Sequence, residues 1–246
     1  MQLINIISIS DGNEKDLDLT IQSVKNQKFN QYKHIVIAKK LSNNFIQNNK
    51  SKKISFIVGK DKSRYHAMNI GENMSTKQHT LYLNSGDILF SKKSLTVINQ
   101  CLISKTNLNG QFSSILKYKD YFFYPKRKYF LDKNTLTHSS FIRSPIKKNE
   151  KISYNVEHII TADGNWMRGN INVNGLKKFY IPISIFSLDG ISTLPSYKTI
   201  LIKKKLGISS FFKEIIKFIL VKVVGRKFFY MIIYSRKYNL KYEKIH

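Results

Sequence analysis

Four short apolar runs, each closed by polar or turn-forming residues, constrain this chain more than any other feature. Leu3 to Ser10 (LINIISIS) is dense in isoleucine and stops at Asp11, Gly12 and Asn13. His34 to Ala38 (HIVIA), Lys53 to Val58 (KISFIV) and Thr80 to Asn84 (TLYLN) follow, the last stopping at Ser85, Gly86 and Asp87. Runs of this length, rich in β-branched residues and bounded by turn signals, read as buried strands. Between the first two, Leu17, Ile21 and Val24 fall at helical spacing, which predicts a helix over Asp16 to Asn26. Tyr65 to Met74 and Lys92 to Ile103 read as two more, the second with Leu95, Ile98 and Leu102 on one face. Strands and helices in this alternation predict an α/β fold with a mostly parallel central sheet and flanking helices. Such sheets bind ligands outside the carboxyl ends of their strands. Asp11 and Asp87 each follow a strand directly and are expected at one crevice there.

The second half is less regular. Phe112 to Leu116, Asp120 to Tyr124, Thr137 to Ile142 and Ile181 to Phe186 read as strands, and Ile159 to Gly169 as a helix carrying Asp163. Pro195 and Ser196 mark a boundary before a basic, apolar tail.

Composition narrows the classes. Hydrophobic residues make up 42% of the 246, enough for a sizeable core, so disorder is not the expectation. The single cysteine, Cys101, excludes an internal disulfide and a cysteine-built zinc cluster, and fits a reducing compartment. Met1 to Ser10 lacks the basic opening of a signal peptide. No run reaches the roughly 20 apolar residues of a membrane span; the nearest, Phe211 to Tyr234, is broken by Lys213, Glu214, Lys217, Lys222, Arg226 and Lys227. The formal charge of +27 attracts polyanions, whether nucleic acid, anionic lipid or phosphate-bearing substrates. No nucleic-acid module with stacking aromatics is visible, so nucleic acid is not the expected partner.

The most informative stretch is Asp61 to Asp87, DKSRYHAMNIGENMSTKQHTLYLNSGD. Asp61, Lys62, Tyr65, Ala67, Met68, Asn69 and Gly71, followed by Leu83, Asn84, Ser85, Gly86 and Asp87, resemble two linked motifs of the family 2 glycosyltransferases of the GT-A fold. The likeness is greatest to those elongating bacterial surface polysaccharides. Thr20 to Phe29 is similar to that family's first helix. Ser139 to Arg143 after His138, Ala162-Asp163 with Trp166 to Arg168, and Ile185 to Ser192 are similar to later segments. The resemblance runs over about residues 3 to 194. Some positions depart from it. Ala38 to Ser42 stands where the family carries an acidic turn that recognises the donor base. His66 and Asn165 stand where aspartates are usual, and Ser140 stands near the usual glutamine.

The resemblance implies a metal-dependent, inverting transfer from a nucleotide-diphosphate sugar, with a UDP-sugar favoured. Asp87 is the implied ligand of Mn2+ or Mg2+, hard cations that prefer oxygen. Such a cation stabilises the charge of a departing diphosphate. Asp163 is the implied base toward the acceptor hydroxyl. Ser10, Asp11, Asp61, Lys62, Tyr65, Asn69, Asn84 and Ser85 are implied around the donor. His138 is expected in a structural or acceptor-facing role. Residues 1–195 would form the GT-A domain, with 1–110 the nucleotide-sugar half and 111–195 the acceptor half. Residues 196–246 would form a basic amphipathic tail.

In that tail Phe211, Phe212, Ile215, Phe218 and Ile219 recur at helical spacing with Lys213, Lys217 and Lys222 interleaved. Basic amphipathic helices lie in membrane interfaces. The expectation is a cytoplasmic protein, peripheral at the inner face of the membrane, transferring one sugar per encounter to a lipid-linked glycan. The alternatives are a catalytically degenerate relative acting as a binding or scaffold subunit, and a basic nucleic-acid-binding protein.

Overall fold

All four apolar runs become parallel strands. In the computed structural model they are β1 (Ile4–Ser10), β2 (Tyr32–Ala38), β3 (Ile54–Val58) and β4 (His79–Tyr82). The structure describes residues 4–75, 77–103, 108–126, 137–146, 153–157, 162–188, 194–205 and 207–242. Two compact units divide the chain: residues 1–114 with 131–186, and residues 115–130 with 187–246.

In the first unit the parallel strands lie in the order β3-β2-β1-β4. Ile4 pairs with Tyr32 on one side of β1 and with His79 on the other. All seven residues of β1 are buried, as expected of a strand in a parallel sheet covered on both faces. Side chains alternate across it. Ile4 and Ile6 pack with Val24, Leu81, Leu95 and Ile98, whereas Ile7 and Ile9 pack with Ala67, Met68, Tyr82 and Trp166. Leu81 and Tyr82 come from β4; the other residues come from α1 (Glu14–Lys25) and α4 (Ser94–Ile98) in the first set, and from α3 (Arg64–Met74) and α5 (Ala162–Asn174) in the second. A short α2 (Asn43–Asn49) connects β2 and β3. The sheet continues through antiparallel strands. β8 (Phe141–Arg143) pairs with β4, and the start of β6 (Asn109–Tyr118) pairs with β8. Beside these, β5 (Ile88–Leu89) pairs antiparallel with β9 (Leu176–Ser187).

An ion pair lies inside this unit. Arg143 Nε stands 3.0 Å from Glu72 Oε2, both side chains fully buried. The guanidinium also donates to Ser75 O and Thr80 Oγ1, each at 2.8 Å, and the Tyr82 hydroxyl donates to Glu72 Oε1 at 3.1 Å. A buried pair is tolerated when its remaining donors and acceptors are satisfied in this way. Together they tie α3 to β4 and β8.

The second unit is built on a hairpin. The end of β6 pairs with β7 (Tyr121–Pro125). β10 (Tyr238–Tyr242) then pairs antiparallel with β7. Two helices complete it, α6 (Tyr197–Lys205) and α7 (Ile208–Tyr234), the latter broken at Gly225 (φ 76°, ψ 162°). The Tyr230 hydroxyl donates to Leu188 O at 2.8 Å.

Several elements differ from expectation. The units part at residues 114/115, 130/131 and 186/187 and not at Pro195, because β10 brings the end of the chain onto the hairpin. Thr137 to Ile142 is a 3-10 turn over His138–Ser140 leading into the three residues of β8, and not one strand. The helix expected over Lys92 to Ile103 is five α-helical residues followed by a π-turn, Asn99–Ile103. α2 escapes periodicity because Asn-rich NNFIQNN is a poor helix former. It is held by the Ser42 cap, by Phe45 packed edge-on against Phe56, and by Lys25 Nζ donating to Asn49 Oδ1 at 2.8 Å. The start of the helix expected over Ile159 to Gly169 lies outside the described residues.

Candidate active site

The carboxyl ends of the parallel strands come together through hydrogen bonds that continue past the strands themselves. Lys39 N donates to Ser10 O at 3.0 Å, Gly59 N to Ala38 O at 3.0 Å, and Ser85 N to Ile9 O at 3.1 Å. The last bond sets the Asn84–Asp87 turn beside Ser10 and Asp11. Ser10 is buried, and its Oγ accepts from Gly12 N at 3.1 Å. Asp11 is exposed, and its Oδ1 accepts from Asn13 N at 3.3 Å. Gly12 has φ 111°, and a Cβ there would lie 2.6 Å from Lys40 Cγ, so this turn needs glycine. Lys39 and Lys40 are exposed at the same edge.

Thr20 of α1 anchors the Asn84–Asp87 turn. Its Oγ1 donates to Asp87 O at 2.8 Å and accepts from Gly86 N at 3.0 Å, with Gly86 at φ 92°. Asp87 N donates to Asn84 O at 2.9 Å. The Asp87 side chain is buried at 3% exposure. Asn84 Oδ1 and Ser85 Oγ are buried with no hydrogen-bond partner among the described residues. Buried polar atoms are rarely left this way in a native protein unless a ligand, water or ion completes them. One carboxylate and two neutral oxygens within four residues suit a hard divalent cation. No group of three or more His, Cys, Asp or Glu able to hold a metal occurs among the described residues.

A second cluster is centred on Asp163, in the first turn of α5. Its Oδ1 accepts from the Tyr65 hydroxyl at 3.3 Å. Burial, with the adjacent Asp163 charge, pushes the Tyr65 phenol well above its usual range, so it stays a donor. The Tyr65 ring stacks on Tyr154 at 6.0 Å, and Tyr154 stacks on Trp166 at 4.7 Å. Asn69 holds Tyr154 from the backbone: its Nδ2 donates to Tyr154 O at 2.9 Å, and its Oδ1 accepts from Tyr154 N at 2.8 Å. Both ends of its amide are thus used to position the tyrosine. His138 is buried, lies 3.3 Å through Nε2 from the Tyr154 hydroxyl, and stacks on Tyr82 at 5.4 Å. Burial lowers its pKa against the opposing pull of Asp163, which keeps the imidazole neutral at pH 7.

The departures from the expected pattern have local explanations. His66 Nδ1 accepts from Lys62 N at 3.1 Å while His66 N donates to Ser63 Oγ at 3.2 Å. The His66 side chain thus holds the residue before the N-cap Ser63, while its backbone N–H is capped by Ser63. Lys62 is exposed, and Asp61 carries a buried Oδ1 with no hydrogen-bond partner among the described residues. Asn165 accepts from Arg168 Nη2. The sequence reading missed Thr20 as an anchor and Tyr154 altogether. Tyr154 stands alone between polar residues, with no periodicity to single it out.

Comparison with solved structures decides the architecture. S. aureus TarS 1–349 in complex with UDP superposes with a TM-score of 0.61 at 11% identity, over 75% of this chain and 60% of that one. The same protein in complex with UDP-GlcNAc gives a TM-score of 0.61 at 12% identity, over 75% and 58%. The mannosyltransferase PcManGT from Pyrobaculum calidifontis, in complex with GDP-Man and Mn2+, gives 0.55 at 9% identity, over 82% and 60%. The chain has the GT-A glycosyltransferase fold. It spans about 60% of the length of the TarS 1–349 chains it matches and 37% of a longer TarS chain. No protein-family model matches the sequence, and no curated protein matches it. In this GT-A chain the 84–87 turn and the Tyr65–Asp163 pair both lie in the unit built on the parallel strands.

Proposed function

We propose that the protein is a glycosyltransferase moving a single sugar, of hexosyl or N-acetylhexosaminyl type, from a UDP-sugar to a lipid-linked glycan in surface polysaccharide synthesis. The observation that carries the reading is the contact between Tyr65 and Asp163. It leaves one carboxylate oxygen held by a phenol that stays protonated. Asp163 takes the proton from the acceptor hydroxyl as the new bond to the sugar C1 forms on the face opposite the departing diphosphate, inverting that carbon. Ser10, Asp11, Asp61 and Lys62 line the donor side. Mn2+ or Mg2+ held by Asp87, with Asn84 and Ser85, would supply positive charge to the diphosphate as it leaves.

Thermal unfolding with UDP, GDP, CMP and dTDP, each with and without Mn2+, tests the donor site. A ligand at about 100 times its Kd adds about 2.7 kcal/mol, a rise of roughly 5 to 10 °C for a chain of this size. The expected result is a rise with UDP that needs Mn2+ and is absent in Asp87→Ala. Asp163→Asn should keep that rise and lose transfer. Full transfer by Asp163→Asn removes it from the base role, and no rise with any nucleotide favours the scaffold alternative.

A further inference from the structure

The first half of α7 has its polarity reversed for a helix in water. Its single carboxylate, Glu214, is buried at 7% exposure and pairs with Lys217 at 3.5 Å. Five of its large apolar side chains point outward: Ile208 is 77% exposed, Phe212 57%, Ile216 63%, Ile219 54% and Val223 76%. At 3.6 residues per turn these five fall within about 80° of the helix circumference, in one continuous stripe. Phe211, Ile215 and Phe218, expected from the sequence to share one apolar face with Phe212 and Ile219, are half-buried, and α7 packs on α6. The helix therefore has two apolar sides, and among the described residues only one is covered.

We infer that this stripe docks α7 in the interface of an anionic lipid bilayer. A helix with an exposed apolar stripe flanked by basic residues suits a membrane interface. Charge selects the occupant. Between Tyr197 and Lys227 nine lysines and arginines stand against the one glutamate. Lys222 flanks the stripe on one side and Lys213 on the other, about 40° and 60° from its edges on the same helical geometry. Their alkyl stems can run along the buried stripe while the ammonium groups reach phosphate headgroups. No helix among the described residues is long and apolar enough to cross a membrane, and the break at Gly225 ends the straight segment. Lying in the surface plane is the arrangement this length, stripe and charge allow. The inference stands on the second unit and does not depend on the transfer reaction.

Deleting the tail would not test this, because β10 and Tyr230 are built into the hairpin unit. The test is sedimentation of the full chain with vesicles of phosphatidylcholine alone or mixed with phosphatidylglycerol, at low and raised salt. Wild type should bind the mixed vesicles, weakly the neutral ones, and lose binding as salt rises. Ile216→Ser combined with Val223→Ser should weaken that binding by about tenfold or more with an unchanged melting temperature, since both side chains are exposed. Lys213→Gln with Lys222→Gln should reduce the preference for the anionic lipid. Equal binding by the serine variant would overturn the inference, as would no binding to either vesicle. A wild-type dimer that the serine variant dissociates would also overturn it, making the stripe a subunit interface.

Discussion

Lowering the pH from 7 to 5 should cost the fold about 2 kcal/mol through His34 alone. His34 is fully buried behind the donor edge, its Nε2 lying 2.8 Å from Ser8 Oγ. The Ser8 hydroxyl spends its proton on Leu83 O, so Nε2 must be the donor and Nδ1 the bare nitrogen. Nδ1 is buried without a hydrogen-bond partner among the described residues. Burial, and secondarily the charge of Lys25, lowers the His34 pKa from 6.5 to about 3. A base whose pKa is lower folded than unfolded binds fewer protons when folded. Its contribution is therefore complete above the unfolded pKa and is lost as pH falls from about 6.5 toward 3, at up to about 1.4 kcal/mol per pH unit. Urea unfolding of wild type and His34→Gln at pH 7 and pH 5 isolates the effect, because other titrating groups are common to both chains. The glutamine amide can still donate to Ser8. The wild type should lose about 2 kcal/mol more than the variant between the two conditions. Equal losses would refute the reasoning and mean that water or a rearranged neighbour reaches Nδ1.

Three further outcomes follow from the packing around the site. Tyr65→Phe removes the donor to Asp163 and should lower kcat about tenfold while leaving nucleotide affinity nearly unchanged; a change confined to KM would put Tyr65 on the donor instead. Arg143→Met strands the buried Glu72 carboxylate and should cost about 3 to 5 kcal/mol, most of it recovered by Glu72→Leu in the same chain, so a single variant melting like wild type would show that Glu72 is neutral in the folded protein. In Gly71→Ala the new Cβ would lie 2.7 Å from Ile7 Cγ2 and 2.9 Å from Ile7 Cδ1, and the overpacking of α3 on β1 should cost about 1 to 3 kcal/mol in chemical denaturation. A more stable variant would show that Ile7 swings aside.

The local elements and the donor edge were legible in the sequence because they are local. The isoleucine runs are short, β-branched and closed by turns that carry Gly12 and Gly86 at positive φ, so strand ends and the residues following them could be placed by counting. The 84–87 turn and the start of α3 belong to that class. Contacts between distant segments were not legible. Asn69 to Tyr154, Tyr65 to Asp163 and Arg143 to Glu72 join residues 85, 98 and 71 apart, and nothing in one chain's composition or periodicity encodes which distant partner a polar side chain will meet. The tail shows the division most plainly. Its amino-acid pattern established a basic helix apolar enough to need a second surface, because a 3.6-residue repeat is visible in any linear string. Only the tertiary structure decided which apolar side is spent on α6 and which is left outward. Burial is a property of neighbours in space, and it turned Glu214 in and Ile216 and Val223 out.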